Sequence, residues 1–332
     1  MAGRPSRIRL VELGPGRAAL MADMLRVISQ LTKALKAEVQ VHLVETSPSM
    51  RMMQEKKLGE QGWDIQWHDS LDSISPSSDA YTMLIAHEFF DALPFHVLKR
   101  TEEGWHEVLI ASNSSTTPDT ESTTSPETEP TSSESSAPPY QRFKHVLTPA
   151  PTAISTVLGN SSPRFRSLPV GSFLEVSPVS FKVAHKVAEL LSVRETKGAL
   201  GGCGLIIDYG GDTFFDNSRR AFKDHEIVDL FYRPGECDLT ANVDFAYLRE
   251  AMQELVPAYK PLSQNHFLQA MGLKERLSSL LKKNSGDSER AKRIEDAALR
   301  LVSPAGMGSQ YSVMGISSNE GAVYPFPQKE AE

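Results

Sequence analysis

Two hydrophobic rhythms alternate along the first part of the chain. Residues 8–13 form a short apolar run that ends at Gly14-Pro15-Gly16. After it, Leu20, Met24, Ile28, Leu31 and Leu35 recur at three or four residues, the spacing of one helix face. Residues 39–44 make a second apolar run closed by Glu45, and shorter runs follow at 65–67 and 81–86. Strand, glycine turn, amphipathic helix and strand compose a βαβ unit, which predicts a parallel sheet carrying helices on its faces.

The rhythm then changes. Residues 95–99 and 105–110 flank Glu103-Gly104, the pattern of an antiparallel hairpin. Residues 111–139 hold sixteen Ser/Thr, five Pro and no aliphatic side chain larger than alanine. Such a stretch lacks the apolar surface needed to offset its ordering entropy, so a disordered insert is expected there. Residues 143–147 resume the sheet, and 173–176 read as another strand. Ser177-Pro178 supplies an N-cap and first position for a helix reaching Ser192. Residues 204–208 read as a buried strand ending at Tyr209-Gly210-Gly211. Beyond Asp244 the chain is mainly helical until a last strand at 310–316. The expected architecture is α/β, a Rossmann-like sheet with an added antiparallel hairpin and C-terminal helices. Residues 1–110 would form the cofactor-binding half, 111–139 the insert, 140–320 the remainder of the same domain with substrate-side helices, and 321–332 a tail.

Bulk properties narrow the chemistry. A net charge of -7 over 332 residues argues against a nucleic-acid partner while still suiting a basic protein substrate. The only cysteines, Cys203 and Cys237, form no C-x-x-C pair, which speaks against a disulfide framework or a structural zinc and fits a reducing compartment. No apolar run approaches the ~20 residues that span a bilayer, so membrane insertion is not expected. Residues 1–9 carry three arginines and no acid, a faint transit-peptide trait. They run directly into a buried-type strand and are read as the domain edge, with any targeting segment absent.

Glu12-Leu13-Gly14-Pro15-Gly16 sits where the first strand meets its helix. Gly14 and Gly16 let backbone approach a ligand without an intervening Cβ. Glu45, 31 residues after Gly14, stands at the end of the second strand, where a carboxylate can accept both ribose hydroxyls. This combination predicts a nucleoside-type cofactor above the strand ends, and both NAD and S-adenosylmethionine (SAM) use that geometry. Nicotinamide sites want a third glycine near position 18 or 19, where this chain has Ala18-Ala19. An acid two residues before the first glycine, here Glu12, is the pattern of SAM sites, so the segment favours SAM. Asp69 follows the third strand and is a candidate for the adenine amino group, or else a helix cap. His87 and Glu88-Phe89-Phe90-Asp91 follow the fourth strand at the ligand edge of such a sheet. Paired carboxylates there match a planar guanidinium, which makes Glu88 and Asp91, with Glu175, the candidates for orienting a cationic substrate. Methyl transfer needs alignment more than acid/base help.

These residues resemble the MidA family of SAM-dependent methyltransferases. The resemblance rests on Val11 through Arg17, on His87-Glu88-Phe89-Phe90-Asp91-Ala92-Leu93-Pro94, and on Phe173-Leu174-Glu175-Val176-Ser177-Pro178. It continues through Ile207-Asp208-Tyr209-Gly210, the block from Pro234 to Phe245, and Gly306-Met307-Gly308. It implies a class I methyltransferase fold with Glu12, Gly14, Gly16, Glu45, Asp69 and His87 around SAM. It further implies symmetric dimethylation of an arginine on a respiratory complex I subunit in the mitochondrial matrix, in support of complex I assembly. Two departures stand out: the family's further N-terminal region is not found, and Ala18-Ala19 replaces a usual Gly-Thr, so that the Ala18 methyl is expected to narrow the cofactor pocket. The rivals are an NAD(P)-dependent oxidoreductase and a non-catalytic assembly factor.

Overall fold

The structure is a computed structural model that describes residues 5–35, 37–59, 62–112, 143–193, 198–319 and 321–327. Nearly all of the expected insert, residues 113–139, lies outside the described residues, as do residues 328–332 of the tail. In chain order the elements are β1 (Arg7–Leu13), α1 (Ala19–Leu35), β2 (Glu38–Val44), α2 (Pro48–Leu58), β3 (Asp64–His68), β4 (Tyr81–His87), β5 (His96–Thr101), β6 (Gly104–Ser112) and β7 (Phe143–Leu147). There follow α3 (Ala153–Gly159), α4 (Pro163–Arg166), β8 (Phe173–Val176), α5 (Pro178–Leu191), β9 (Gly202–Gly211), β10 (Arg220–Lys223), β11 (Glu226–Val228), β12 (Asp238–Thr240) and β13 (Val243–Asp244). The chain closes with α6 (Phe245–Met252), β14 (Leu262–Ser263), α7 (Gln264–Ala270), α8 (Leu273–Lys283), α9 (Ser288–Val302), α10 (Met307–Gln310) and β15 (Tyr311–Ser317).

Two compact units emerge. The first gathers residues 1–95, 177–215 and 242–332 around a sheet of order β14-β15-β9-β4-β1-β2-β3, with β13 beside β9. β3, β2, β1, β4 and β9 are mutually parallel, and β15 runs antiparallel between β9 and β14. This is the expected α/β Rossmann-like sheet. Its order reverses between β1 and β4, and the crevice at such a switch point is where ligands bind in open α/β sheets. Parallel strands buried on both faces read as continuous apolar runs, and Leu10, Val11, Leu13, Val41 and Leu43 are all essentially inaccessible. One face packs Leu10, Val41 and Leu43 against Met21 and Leu25 of α1; the other packs Val11, Leu84 and Ile206 against Ala184, Val187 and Leu191 of α5. The Ser177 side chain caps α5 through the Ser180 N–H, as the sequence predicts, and Asp244 caps α6 through the Tyr247 N–H.

The second unit comprises residues 96–176 and 216–241. The β5–β6 hairpin turns at Glu103-Gly104 as expected and is extended by β7 on one side and β8 on the other, in the order β7-β6-β5-β8. A separate three-stranded sheet has the order β11-β10-β12. The division at residue 110 drawn from sequence order therefore differs from the packing: the hairpin pairs with β8, 62 positions beyond Ala111 at its start, and not with the parallel sheet. Here Gly159 is required by close approach, because a Cβ at that position would lie 2.2 Å from Trp105.

Candidate functional site

β1 ends in a turn whose backbone only small residues tolerate easily. Gly14 and Gly16 have φ of +61° and +50°, and a Cβ on Gly16 would meet nothing within 4 Å, so that position faces open space. The Gly14 N–H donates to the Val44 carbonyl at 3.0 Å, locking the turn to the end of β2. Ala18 also sits at positive φ, +54°, yet its methyl is fully buried beside Leu10, Met21 and Leu25. The expected narrowing of the pocket by Ala18 does not occur, because the side chain joins the hydrophobic core and lies outside the crevice lining.

The crevice itself has a volume of about 400 Å³. It lies over the carboxyl ends of β1, β2 and β3, between the loop after β4 and one face of α5, and its lining includes Gly14, Glu45, Asp69, Phe89, Lys182 and Lys186. Roughly 300–1,000 Å³ is the range of pockets that enclose a cofactor-sized ligand. Both oxygens of Glu45 are oriented: Oε1 accepts from the Ser47 N–H at 2.9 Å and Oε2 from Gln54 Nε2 at 3.1 Å. Each oxygen keeps a further lone pair for a hydroxyl donor. Asp69 is mostly exposed and paired to Arg51 at 2.6 Å, and Arg51 also donates to the Glu45 carbonyl at 2.8 Å. The acids at the ends of β2 and β3 are thus tied together by one guanidinium from α2.

Glu12 lies beneath this surface, only 3% exposed, and burial pushes its carboxyl up to about 7. Its Oε2 has no hydrogen-bond partner among the described residues. A buried oxygen without a donor is costly, and a cationic ligand group nearby would relieve it. The donor set fits SAM: a carboxylate for the ribose diol, an open glycine turn, and a buried orphan acid suited to an ammonium.

A second cluster follows β4. Glu88 takes φ of +51°, a conformation rare for a side chain of this size. Its N–H donates to the Ile207 carbonyl at 3.0 Å, and the next three N–H groups, of Phe89, Phe90 and Asp91, all donate to Asp208 Oδ2 at 2.9–3.3 Å. Asp208 is fully buried; desolvation, then the Asp91 carboxylate, raise its carboxyl well above the usual range against those backbone donors. The side chain of Glu88 is exposed, and its Oε1 accepts from the Tyr311 hydroxyl at 2.8 Å. His87 Nε2 stands 3.9 Å from the same oxygen.

The candidates therefore fall into four places. Gly14, Glu45 and Asp69 line the crevice, Gly16 belongs to the turn that frames it, and Glu12 lies buried on β1 beneath it. His87 and Glu88 sit together at the neighbouring strand end. Asp91 is buried beside Asp208, away from solvent. Glu175 belongs to the second unit, where Ser218 donates to it through backbone and hydroxyl and Arg219 pairs with it at 3.0 Å. Gln54 and Arg51 were not anticipated. Gln54 is fully buried; its Nε2 donates to the Gly16 carbonyl at 2.8 Å as well as to Glu45, and its Oε1 accepts from Trp67. The Ser47-Pro48 pair, a cap followed by proline, was the available signal for α2, which carries both residues.

Residues 1–260 match the family described as "Putative S-adenosyl-L-methionine-dependent methyltransferase". The zebrafish (Danio rerio) "Protein arginine methyltransferase NDUFAF7, mitochondrial" is 34% identical over 95% of this chain and 70% of its own length. This chain belongs to that methyltransferase family. The human protein of the same name is 30% identical, covering 95% of this chain and 67% of its own. A Burkholderia thailandensis crystal structure bound to S-adenosyl-homocysteine superposes with a TM-score of 0.72 at 20% identity, over 96% of this chain and 74% of that one, and shares its fold. Membership makes SAM, and not NAD, the cofactor of this methyltransferase. Among the described residues there is no cluster fit to hold a metal ion, and no helix long and apolar enough to cross a membrane.

Proposed function

We propose that this methyltransferase acts on protein arginine in the mitochondrial matrix, forming symmetric dimethylarginine on a subunit of respiratory complex I and so supporting its assembly. The observation that carries the reading is identity of 30–34% over nearly the whole chain to proteins named mitochondrial protein arginine methyltransferases. Glu45 would take the ribose diol, Asp69 the adenine side, and Glu12 with the Gly14–Gly16 turn the amino-acid end of SAM. When bound, SAM supplies an activated methyl group on a sulfonium. The protein's own task is then alignment of the acceptor. A guanidinium shares its charge over three nitrogens and is a weak nucleophile; an anchored carboxylate localises that charge and turns one nitrogen toward the methyl group. Glu88 is exposed, rigidly held and at the strand edge beside Phe89 of the crevice, which suits it to this role. Asp91, buried against Asp208, shapes the loop that presents Glu88.

The test is Glu88→Gln, which keeps shape and removes charge. SAM affinity should stay within about twofold, while methyl transfer to arginine in mitochondrial extract should fall at least about tenfold, the loss of one charged hydrogen bond. Transfer at the parent rate would remove Glu88 as the anchor. A parent protein that binds SAM but never methylates protein would favour the assembly-factor reading.

A further inference from the structure

The carboxyl edge of the first unit holds a group of side chains that the cofactor crevice does not use. β15 enters the sheet antiparallel to β9, and the register sets Tyr311 directly opposite Tyr209. Their ring centroids are 4.1 Å apart, tilted by 38°. Tyr311 is buried, yet its hydroxyl reaches the solvent-facing carboxylate of Glu88, 223 positions earlier in the chain. The His87 ring flanks the pair, with its centroid 6.4 Å from that of Tyr311.

We propose that Tyr209 and Glu88 form a cage selective for a guanidinium, in which the buried Tyr311 is a positioning residue that fixes the acid. The inference rests on the protein-arginine reading and names how that substrate is recognised.

Three physical points support it. First, a glutamate on a surface loop samples several rotamers, and ordering it at the moment of binding costs free energy. The Tyr311 hydroxyl selects one arrangement beforehand and occupies Oε1, so that Oε2 is presented to an incoming N–H. Second, the backbone at Glu88 is held in a left-handed conformation that an ordinary residue avoids, and Asp208 fixes the three residues that follow. Strain maintained by so many bonds at a strand edge is the mark of a site shaped for a ligand. Third, a guanidinium is planar, weakly hydrated and suited to lie on a phenol face, whereas a lysine ammonium is compact and strongly hydrated. Burial, reinforced by the bonds to Tyr209 and Glu88, pushes the Tyr311 hydroxyl upward, so it remains a donor wherever the protein is folded.

The experiment is a titration of the full chain, in the presence of S-adenosyl-homocysteine, with acetyl-arginine-methylamide and with acetyl-lysine-methylamide. The arginine probe should bind at least about tenfold more tightly than the lysine probe. Tyr311→Phe keeps the ring and should weaken the arginine probe about tenfold. The same change should leave S-adenosyl-homocysteine affinity and the melting temperature nearly as in the parent, which a merely structural tyrosine would not. With an arginine peptide as methyl acceptor, Tyr311→Phe should act mainly on KM. Tyr209→Leu should narrow the arginine-to-lysine ratio. Equal affinity of the parent for both probes, or full arginine affinity in Tyr311→Phe, overturns the cage. A parent that binds the arginine probe in a Tyr311-dependent way but methylates no arginine protein leaves the cage standing and removes the proposed activity instead.

Discussion

Replacing Glu12 with glutamine isolates the cost of burying one carboxylate. In the folded chain its carboxyl titrates near 7 in place of the ordinary 4.5, because burial withholds solvent from the charged form. Below the unfolded value both states are protonated and nothing is lost. As pH rises, the unfolded chain ionises first and the folded chain resists, so stability declines until the folded group also ionises near 7, and then levels. At about 1.4 kcal/mol per decade, the gap from 4.5 to about 7 amounts to about 3 kcal/mol. Glutamine cannot ionise. It buries an amide in place of the unpartnered Oε2, which costs about 1–3 kcal/mol, but by the same amount at every pH. The comparison between pH values cancels that constant. Urea unfolding of parent and Glu12→Gln from about pH 5 to about pH 8 should therefore show the variant gaining on the parent by about 2–3 kcal/mol. Saturating SAM should flatten the parent's decline, since its ammonium would give the carboxylate a partner. Two stability curves that stay parallel across the range would refute the assignment of a buried, unpaired acid at this position.

Glu45→Ala should weaken SAM binding at least tenfold, about 1.4 kcal/mol, by calorimetric titration; unchanged affinity in a folded variant would detach the crevice from the cofactor. Residues Ser112 and Phe143 are direct partners in the β6–β7 ladder, so Asn-Gly can replace everything between them as a two-residue hairpin turn. That variant should melt at or above the parent temperature, since shortening the connection from about thirty residues to two recovers up to about 2 kcal/mol of closure entropy. A drop of several degrees would show that the removed stretch contributes packing.

Much of the first unit was legible because burial on both faces writes a parallel strand as an unbroken apolar run. β1, β2 and β4 could be placed within a residue or so, and Gly14-Pro15-Gly16 marked the turn between β1 and α1. α2 was not legible from hydrophobic spacing: its only buried residues are Gln54 and Leu58, so the face that matters is largely polar. Its work, holding Glu45 and the glycine turn, is done by hydrogen bonds that leave no periodic trace. β10, β11 and β12 escaped for another reason, being three or four residues long, too short for alternation to register. Glu175 was named only as a carboxylate able to orient a guanidinium; its place on β8, opposite Val97 in the antiparallel sheet, left no signal in the spacing of the sequence. Tyr311 was invisible as a functional residue because its partner is joined to it only by the insertion of β15 next to β9.

The interleaving of the two units along the chain also bears on how the protein is made. The second unit is fully encoded by residue 241, whereas the parallel sheet waits for β15 at residues 311–317. During synthesis the antiparallel unit can therefore emerge and fold while β1, β2, β3, β4 and β9 are already outside the ribosome without their last neighbour. The edge of β9 that β15 will cover stays open for the time needed to translate about a hundred residues, on the order of ten seconds. An open strand edge of that kind is a template for wrong pairing. Chaperone dependence of the nascent chain should concentrate in this interval, between the emergence of β9 and that of β15.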